Sequence, residues 1–159
     1  MAAAKPEDKD PVKSIARNKR ARHDYELIES WEAGLVLTGT EVKALRAGQA
    51  SMNDAFGIVR EGEVFVVNLH ISPYSHGGRE NHEPTRTRKL LLHRSEIRRL
   101  IGAVERRGLT LVPTELYFRE GKAKLRVALG RGKKSHDKRE DLKKRDAERD
   151  IARVFRARR

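Results

Sequence analysis

Apolar and polar residues alternate most regularly between positions 122 and 129. Basic residues at 122, 124 and 126 alternate with apolar residues at 123, 125, 127 and 129. A period of two is typical of a β-strand with one wet face and one buried face. The run Leu116–Phe118 precedes this strand, and the turn residues Glu120–Gly121 separate the two. The pattern therefore predicts a β-hairpin.

A second hairpin is predicted around the turn residues Glu61–Gly62. The flanking runs Phe56–Val59 and Val64–Val67 are almost continuously apolar, which is typical of strands covered on both faces. Proline cannot donate a hydrogen bond to a β-ladder, so Pro113 should end or interrupt the strand in front of it. Further strands are predicted at Tyr25–Trp31, Gly34–Leu37 and Leu109–Val112.

Two segments have helical spacing. In Ser95–Arg107 apolar residues recur at i, i+3, i+4 and i+7, with Ser95 as N-cap and Gly108 as the C-terminal glycine. Thr40–Ala47 is a shorter helix that ends at Gly48. Short antiparallel strands with two or three short helices indicate a mainly-β fold. Because closing a sheet removes its exposed edges, we expect an antiparallel β-barrel of the oligonucleotide-binding type.

Charge divides the chain into a nearly neutral body and two basic ends. The net charge of +13 is distributed as +4 over the first 22 residues, +7 over residues 130–159 and +2 between them. Segments this charged bury too little apolar surface to offset the entropy of ordering, so both ends should be disordered in the free protein. We predict a disordered leader at 1–13, a barrel with a basic N-terminal arm at 14–129, and a basic tail at 130–159.

The basic ends favour a nucleic acid as partner, because each Lys or Arg placed at a phosphate releases a counterion. An anionic membrane surface is the alternative, but it usually requires bulky apolar anchors, and the N-terminal end has almost none. The chain has no cysteine, which excludes disulfides and Cys-bound zinc. No segment resembles a membrane span or a signal peptide. We expect a soluble, cytoplasmic monomer without a cofactor.

The N-terminal arm combines two kinds of RNA-binding group. Asn18 offers an amide for a base edge or sugar, while Lys19, Arg20 and Arg22 offer cations for phosphates. A solvated leader is the alternative interpretation. On the predicted short helix, Lys43 and Arg46 are three residues apart and can share an exposed face.

A metal site is conceivable in the histidine-containing segment 70–83. The candidate ligands match no known metal-binding spacing, and they belong to a loop whose part Ser75–Pro84 is predicted to be mobile, so we predict no metal site. The candidates are His70, His76, His82, Glu80 and Glu83.

A nuclease-like acid and base pair is conceivable in the tail, where Lys134, His136 and Asp137 lie close together in sequence. A general base must be held rigidly near its substrate, and a disordered tail does not do this unaided. We therefore predict no catalytic residue.

Five stretches occur together and in order, and together they resemble the bacterial SsrA-binding proteins, a family also called small protein B. The resemblance covers about residues 14 to 159. The stretches are Asn18–His23, Glu32–Leu37, Gly39–Gly48, Pro84–Leu92 and Gly132–Arg139.

This resemblance implies an oligonucleotide-binding-type barrel that acts in trans-translation, the rescue of ribosomes stalled on messages without a stop codon. It implies that the barrel binds the tRNA-like domain of transfer-messenger RNA (tmRNA), that the tail enters the empty message channel and decoding site of the small subunit, and that the protein catalyses no reaction. The RNA-binding residues so implied are Asn18, Lys19, Arg20, Arg22, Glu32, Lys43, Arg46, Arg86, Arg88, Lys89 and Leu91.

Two of these residues need a separate explanation. A carboxylate repels phosphate, so Glu32 would accept from a base amino group or a ribose 2′-OH, or would orient a basic neighbour. An ordinary exposed glutamate is the alternative. In Leu90–Leu92 at most one side chain should point outward, and the resemblance favours Leu91.

The tail has features of a segment that becomes helical on binding. Acidic residues at 140 and 141 precede basic residues at 144 and 145 with i, i+4 spacing, but each such pair contributes only about 0.2 to 0.5 kcal/mol, too little to order a free tail. We expect the tail to fold when it docks on the ribosome. The tail residues expected to bind are Gly132, Lys133, Lys134, His136, Asp137, Lys138, Arg139, Val154 and Phe155.

Two other functions are compatible with the composition. A general RNA chaperone or ribosomal protein would bind many RNAs with similar affinity. A nuclease or RNA-modifying enzyme would lose activity on substitution of His82 or His136.

Overall fold

The structure is a computed structural model that describes residues 12–133 and Arg149, except for the side chain of Glu80. Strands dominate the described part of the chain, with three α-helices and one short 3₁₀ turn. In chain order the elements are β1 (Val12–Arg17), α1 (Lys19–Asp24), β2 (Tyr25–Leu35), α2 (Gly39–Arg46), β3 (Ala50–Ser51), β4 (Phe56–Arg60), β5 (Glu63–Val67), β6 (His70–Ile71), the 3₁₀ turn (Gly78–Glu80), β7 (Arg88–Leu91), α3 (Arg94–Arg107), β8 (Thr110–Arg119) and β9 (Lys122–Gly132).

Six antiparallel strands close into a barrel. The order around the ring is β8, β4, β5, β7, β2 and β9, and β9 pairs with β8 to complete it. β1 adds to β8 outside the ring, and β3 pairs with β6 in a separate small sheet. The predicted antiparallel barrel is therefore confirmed, with one strand more in its ring than the five of a typical oligonucleotide-binding fold.

The barrel interior is filled by aliphatic side chains from all around the ring. Leu100 of α3 and Leu45 of α2 cover the barrel and are almost completely buried. Burial of a leucine side chain contributes about 1.5–3 kcal/mol, so these two residues hold the helices on the barrel. The barrel strands contribute Ala33, Val64, Val66, Leu90, Leu111, Leu116, Leu125, Val127 and Leu129 to the same core.

The ring closes at a short contact between β4 and β8. One residue pair, Gly57 with Leu111, joins the two strands. A Cβ atom placed on Gly57 would lie 2.5 Å from Leu111 Cδ2, well inside contact distance. Glycine at this position therefore lets the two strands approach closely enough to close the barrel.

A buried charge cluster attaches α2 to β7. Glu41 and Arg88 are fully buried and form an ion pair. Arg86 Nη2 and the backbone nitrogen of Thr38 both donate to Glu41 Oε1, at 2.6 and 2.8 Å. Burial alone would raise the pKa of Glu41, but the hydrogen bonds from Arg86, Thr38 and Arg88 outweigh it and hold the pKa below its usual value. The carboxylate is thus charged and holds α2 against β7 and the segment in front of it.

The N-terminal arm differs from its prediction. Residues 12–22 were expected to be disordered, but β1 pairs with β8 from Val12 opposite Arg119 to Arg17 opposite Glu115, and α1 follows directly. Pairing along β8 satisfies backbone groups that a free arm would expose to water. The prediction from charge alone is therefore wrong for this segment.

Several strand and helix ends also differ from the sequence pattern. β8 continues through Pro113, which only shifts the register between Pro113 and Glu115. Phe56 on β4 is 40% exposed, so this strand is not covered on both faces. The N-cap of α3 is His93 rather than Ser95, whereas Gly108 adopts the predicted left-handed conformation at φ 63°.

Both predicted hairpins are confirmed. In the turn residues Glu61–Gly62 and Glu120–Gly121, all four φ angles are positive, as the tightest hairpin turns require. β9 continues past the predicted barrel end at Leu129 and ends at Gly132. Among the described residues, no helix combines the length and the apolar character needed to cross a membrane.

Candidate RNA-binding surface

A basic groove lies between α1, β1 and the β8–β9 hairpin. We call it the α1 groove; its volume is about 440 Å³. Arg17 Nε lies 3.2 Å from the carboxylate of Glu115, so this acid offsets part of the positive charge and the groove stays cationic. The lining residues are Arg17, Asn18, Lys19, Arg22, Thr114, Glu115 and Arg126.

Asn18 shapes the α1 groove by holding α1 in place. Its Oδ1 accepts from the backbone nitrogen of Ala21 at 3.2 Å and caps the helix, while its Nδ2 donates to the carbonyl of Pro113 at 2.8 Å. Both amide atoms are thus used inside the protein, and the residue is only 6% exposed. The geometry therefore gives Asn18 a positioning role and leaves the exposed Lys19 and Arg22 to face a ligand.

Glu32 belongs to a polar cluster on the outer side of β2, β8 and β9. Its Oε2 accepts from the Tyr117 hydroxyl at 2.5 Å and lies 3.2 Å from Arg119 Nη1. Burial, together with this hydrogen bond, raises the pKa of Tyr117 well above its usual value, so the phenol keeps its proton and donates. Of the three roles expected for Glu32, the structure contains the contact with a basic neighbour.

Charges of opposite sign alternate across four neighbouring strands. Glu32 on β2 is opposite Arg126 on β9, Arg126 is opposite Glu115 on β8, and Glu115 is opposite Arg17 on β1. Opposite charges at directly paired positions attract each other weakly and fix side-chain positions. This row therefore connects the α1 groove to Glu32.

A second, less basic groove lies beside Leu91. We call it the Leu91 groove; its volume is about 730 Å³. Leu91 is 53% exposed, whereas Leu90 is buried, so the expected outward orientation of Leu91 is confirmed. Arg99 pairs with Glu29 at 3.1 Å. The lining residues are Glu29, Ser30, Trp31, Glu32, Gly34, Leu91, Leu92, His93, Glu96, Arg99 and Lys124.

The two grooves belong to one continuous surface. A smaller depression between them shares Arg22, Thr114 and Arg126 with the α1 groove, and Glu29 and Ser30 with the Leu91 groove. We call the α1 groove, this depression and the Leu91 groove together the β2–β9 face. One end of the face is cationic, and the other combines apolar side chains with carboxylates. A ligand that carries both phosphates and flat polar rings matches this division.

Other predicted RNA-binding residues lie outside the two grooves. Arg20 points toward Asp54, with Nη1 and Oδ1 3.4 Å apart, and Lys89 Nζ lies 3.6 Å from a carboxylate oxygen of Glu63. Lys43 and Arg46 are exposed on α2, as their spacing predicted.

Arg88 is a clear correction to the prediction. Its side chain is fully buried and bonds to Glu41 and to the carbonyls of Leu69 and Pro84. It cannot contact RNA without unfolding of this cluster. Arg86 is about one third exposed, but its guanidinium donates to Glu41 and to the carbonyl of Val36. Both arginines therefore fix the local structure.

The first tail residues continue the barrel. Gly132 ends β9 opposite Tyr25. The backbone nitrogen of Lys133 donates to the carbonyl of Asp24, and its Nζ donates to the carbonyl of Arg22, both at 2.9 Å. Lys133 thus binds the C-terminal end of α1, where a cation is favourable. The other predicted tail residues, Lys134, His136, Asp137, Lys138, Arg139, Val154 and Phe155, lie outside the described residues.

The sequence analysis missed Arg17 and Arg126, which line the β2–β9 face, and Tyr117 and Arg119, which contact Glu32 from beside it. The alternation in residues 122–129 did predict that Arg126 points outward. Its neighbours follow only from the register between β9, β2 and β8, which no single strand pattern reveals.

The described residues contain no cluster of acidic residues and histidines suited to a metal ion. His82 is instead part of the local structure, because its Nε2 lies 2.8 Å from the carbonyl oxygen of Ile71 and its Nδ1 lies 2.9 Å from the hydroxyl of Thr40.

Comparison with known proteins gives consistent matches. A family model described as SmpB protein matches residues 15–157. An SsrA-binding protein of Desulforudis audaxviator is 53% identical over 148 residues, which cover 93% of this chain and 97% of that protein. An SsrA-binding protein of Anoxybacillus flavithermus is 57% identical over 146 residues, which cover 92% and 95%.

A solved structure is similar in both sequence and fold. It is described as "tmRNA-SmpB: a journey to the center of the bacterial ribosome". The matched chain is 53% identical, with a TM-score of 0.64 over 76% of this chain and 85% of that chain.

Proposed function

The chain belongs to the SmpB family, and we propose that it is the RNA-binding factor that attaches to the tRNA-like domain of tmRNA and brings it to stalled ribosomes. The β2–β9 face is the binding surface in this proposal. The observation that carries it is the continuity of a cationic groove with a groove that combines an exposed leucine and an oriented carboxylate.

Each end of the face has a separate task in this proposal. Lys19, Arg22 and Arg126 of the α1 groove bind phosphates, which supply most of the affinity but little specificity. Glu32 and Leu91 of the other groove contact unpaired bases or sugars, because a carboxylate accepts from base amino groups and 2′-OH groups and a leucine packs on a base. Tyr117 and Arg119 orient Glu32.

The tail carries the second half of the function. In the proposal, the residues after Lys133 extend along the empty message channel of the small subunit and reach the decoding site, where they become helical. The anchoring of Lys133 to the end of α1 supports this, because it fixes the point on the barrel from which the tail begins. The protein acts by binding, and no chemical step is assigned to its residues.

Binding of the full chain to two RNAs tests the proposal. We expect much tighter binding to the tRNA-like domain than to an unrelated structured RNA of equal length at the same salt concentration. Equal affinities would contradict specific recognition and favour a general RNA chaperone.

Substitution on the face tests its location. Arg126→Gln should weaken binding to the tRNA-like domain and reduce the slope of log affinity against log salt by about one, because one phosphate contact is lost. Lys122→Gln is the matched control, since Lys122 is exposed on the same strand but lines neither groove. An unchanged slope for Arg126→Gln would exclude a phosphate contact at Arg126 and contradict its place in the proposed interface.

A truncation separates the two halves of the function. The chain should be cut after Lys133, because a cut after Leu129 would remove the end of β9 and the contacts of Lys133 with α1. The shortened protein should bind the tRNA-like domain normally but fail to support the rescue of stalled ribosomes. Normal rescue of stalled ribosomes by the shortened protein would contradict the role given to the tail.

A further inference from the structure

The helix α3 turns a strongly cationic side away from the barrel. It contains five arginines and no lysine in its 14 residues. Leu100 and Ala103 are buried against the barrel, so the residues on the opposite side of the helix are directed outward. We call this opposite side the outer α3 face. Its residues are Arg94, Ser95, Arg98, Gly102, Glu105 and Arg106.

Three features of the outer α3 face are unfavourable for the helix itself. Arg94 is the first residue of α3, where the positive end of the helix dipole disfavours a cation. Arg94 and Arg98 are like charges with i, i+4 spacing, which repel each other. Gly102 lies in the helix interior, where alanine is more favourable, and an added Cβ would have no atom within 4 Å. Internal packing explains none of the three, whereas an anionic partner on this face would explain them all.

The arginines of this face are available to a partner. Arg99, beside the face, pairs with Glu29 at 3.1 Å, but among the described residues no acid forms an ion pair with Arg94, Arg98 or Arg106. The acid in the first turn of α3, Glu96, is used within the helix, because its Oε1 accepts from the backbone nitrogen of His93. Glu105 is the exposed acid of α3, and the outer α3 face therefore remains positively charged.

The composition of the face favours the backbone of a base-paired RNA as the partner. Arginine matches phosphate geometry better than lysine, because its planar group donates two parallel hydrogen bonds. The outer α3 face has no aromatic ring on which an unpaired base could stack. A duplex does not require such a ring, since its bases already stack on each other and its phosphates and 2′-OH groups face outward. Gly102, between Arg98 and Arg106 on the face, lets a phosphate approach the helix closely.

The outer α3 face adjoins the β2–β9 face. Arg99 and Glu96 of α3 line the Leu91 groove, so a ligand in this groove can continue onto the helix. We propose that the outer α3 face binds the sugar–phosphate backbone of a base-paired RNA stem, next to an unpaired segment held in the Leu91 groove. The inference rests on the proposed function, because both segments belong to the same bound RNA. It makes a stem beside an unpaired segment the RNA structure that the protein selects.

Arginine substitutions on the full chain test the phosphate contacts. Arg98→Gln and Arg106→Gln should each weaken binding of the tRNA-like domain and reduce the slope of log affinity against log salt by about one. Arg60→Gln is the matched control, because Arg60 is an exposed arginine at the end of β4 that lines neither groove. Slopes for Arg98→Gln and Arg106→Gln equal to that of Arg60→Gln would overturn the proposal.

Substitution of Gly102 separates binding from stability. Gly102→Ala and Gly102→Leu should leave the midpoint of thermal unfolding unchanged or raise it, because both residues favour a helix interior. Both should nevertheless weaken binding of the tRNA-like domain, and leucine more than alanine, because the side chain fills the space that a phosphate would occupy. Normal binding by Gly102→Leu would overturn the proposal.

Cleavage from a fixed position shows which part of the RNA lies on the helix. The chain has no cysteine, so an iron chelate attached to Glu105→Cys generates hydroxyl radicals at this position alone. We expect cleavage of base-paired nucleotides in the tRNA-like domain. Lys122→Cys is the control, because Lys122 is exposed outside both grooves, and its cleavage should fall elsewhere. Cleavage from Glu105→Cys that is absent or confined to unpaired nucleotides would overturn the proposal.

The outcomes separate this proposal from the proposed function. Tight, specific binding of the tRNA-like domain that no α3 variant changes would overturn the role of α3 and leave the proposed function in place. Chemical crosslinks from α3 to a ribosomal protein, without cleavage of RNA, would assign the face to a protein partner and overturn the RNA site. Equal affinity of the original protein for an unrelated RNA would contradict the proposed function, while cleavage of paired nucleotides from α3 would still support a duplex-binding face.

Discussion

Glu32 and Tyr117 illustrate how single residues on this protein depend on one another. The Tyr117 hydroxyl and Arg119 both contact Glu32 Oε2, and Tyr117 itself is completely buried. Tyr117 therefore has no access to a ligand and acts through the carboxylate. Substitution of Tyr117 should therefore change RNA binding only through its effect on Glu32.

We expect Tyr117→Phe to weaken binding of the tRNA-like domain roughly three- to tenfold, the effect of one lost hydrogen bond. In a Glu32→Gln background the same substitution should have almost no further effect, because the two residues act together. The measurement is a double-mutant cycle, in which the affinities of the original protein, the two single variants and the double variant are compared. Equal losses in both backgrounds would mean that the Tyr117 hydroxyl acts independently of Glu32.

Glu41 should stabilise the fold strongly at neutral pH, and acid should remove this contribution. Glu41→Gln leaves Arg88 buried without its counter-charge, and loss of one partner of a buried pair costs about 3–5 kcal/mol. Glu63→Gln is the matched control, because Glu63 and its partner Lys89 are each 43% exposed and should contribute less than about 1 kcal/mol. Urea unfolding of both variants measures the difference.

The pH dependence follows from the lowered pKa of Glu41. A carboxyl whose pKa is lower in the folded state than its usual value of 4.5 stabilises the fold fully above that value. This contribution is lost as the pH falls below 4.5 through the folded-state pKa. The free energy of unfolding of Glu41→Gln should therefore fall less steeply with acid than that of the original protein. An equally steep fall of the free energy of unfolding with acid in both proteins would contradict this.

At the scale of elements, α1 is a short helix whose position is set from both ends. It has six residues, too few to be stable alone. Asn18 caps its start and bonds to Pro113, and Lys133 bonds to the carbonyls at its end. The helix that carries Lys19 and Arg22 is therefore held between β8 and the first residue after β9.

Two substitutions of Asn18 separate its two bonds. Asn18→Ser keeps a capping oxygen but cannot reach Pro113, whereas Asn18→Ala loses both bonds. We expect Asn18→Ala to lower the free energy of unfolding by about 2 kcal/mol and Asn18→Ser by about half of that. Denaturant unfolding is the measurement, and equal losses for the two variants would show that the cap contributes nothing.

At the scale of the whole molecule, closure of the barrel depends on the ladder pair of Gly57 with Leu111. Gly57→Ala would push a methyl group into the buried Leu111 side chain and should cost about 1–3 kcal/mol. Gly102→Ala is the matched control, since Gly102 lies in α3 with no atom within 4 Å of an added Cβ, and it should be neutral or stabilising. Equal unfolding midpoints for the two variants would contradict the close approach of β4 and β8 at Gly57.

The sequence by itself determined the local structure of this protein. The period of two, the helical spacing and the turn pairs predicted the main strands, two helices and both hairpins, because each of these depends on neighbours along the chain. The motifs in Asn18–His23 and Pro84–Leu92 also indicated the family. The run Leu90–Leu92 indicated that at most one of its side chains faces outward, and the family resemblance selected Leu91.

Only the tertiary structure decided which residues meet. The pairing of β1 with β8 ordered an arm that charge alone predicted to be disordered, and the burial of Arg88 against Glu41 removed a predicted RNA contact. The row from Glu32 to Arg17 is produced by the register of four strands. The physical reason is that register and burial depend on contacts between residues far apart in sequence, and a local pattern contains no information about the partner strand.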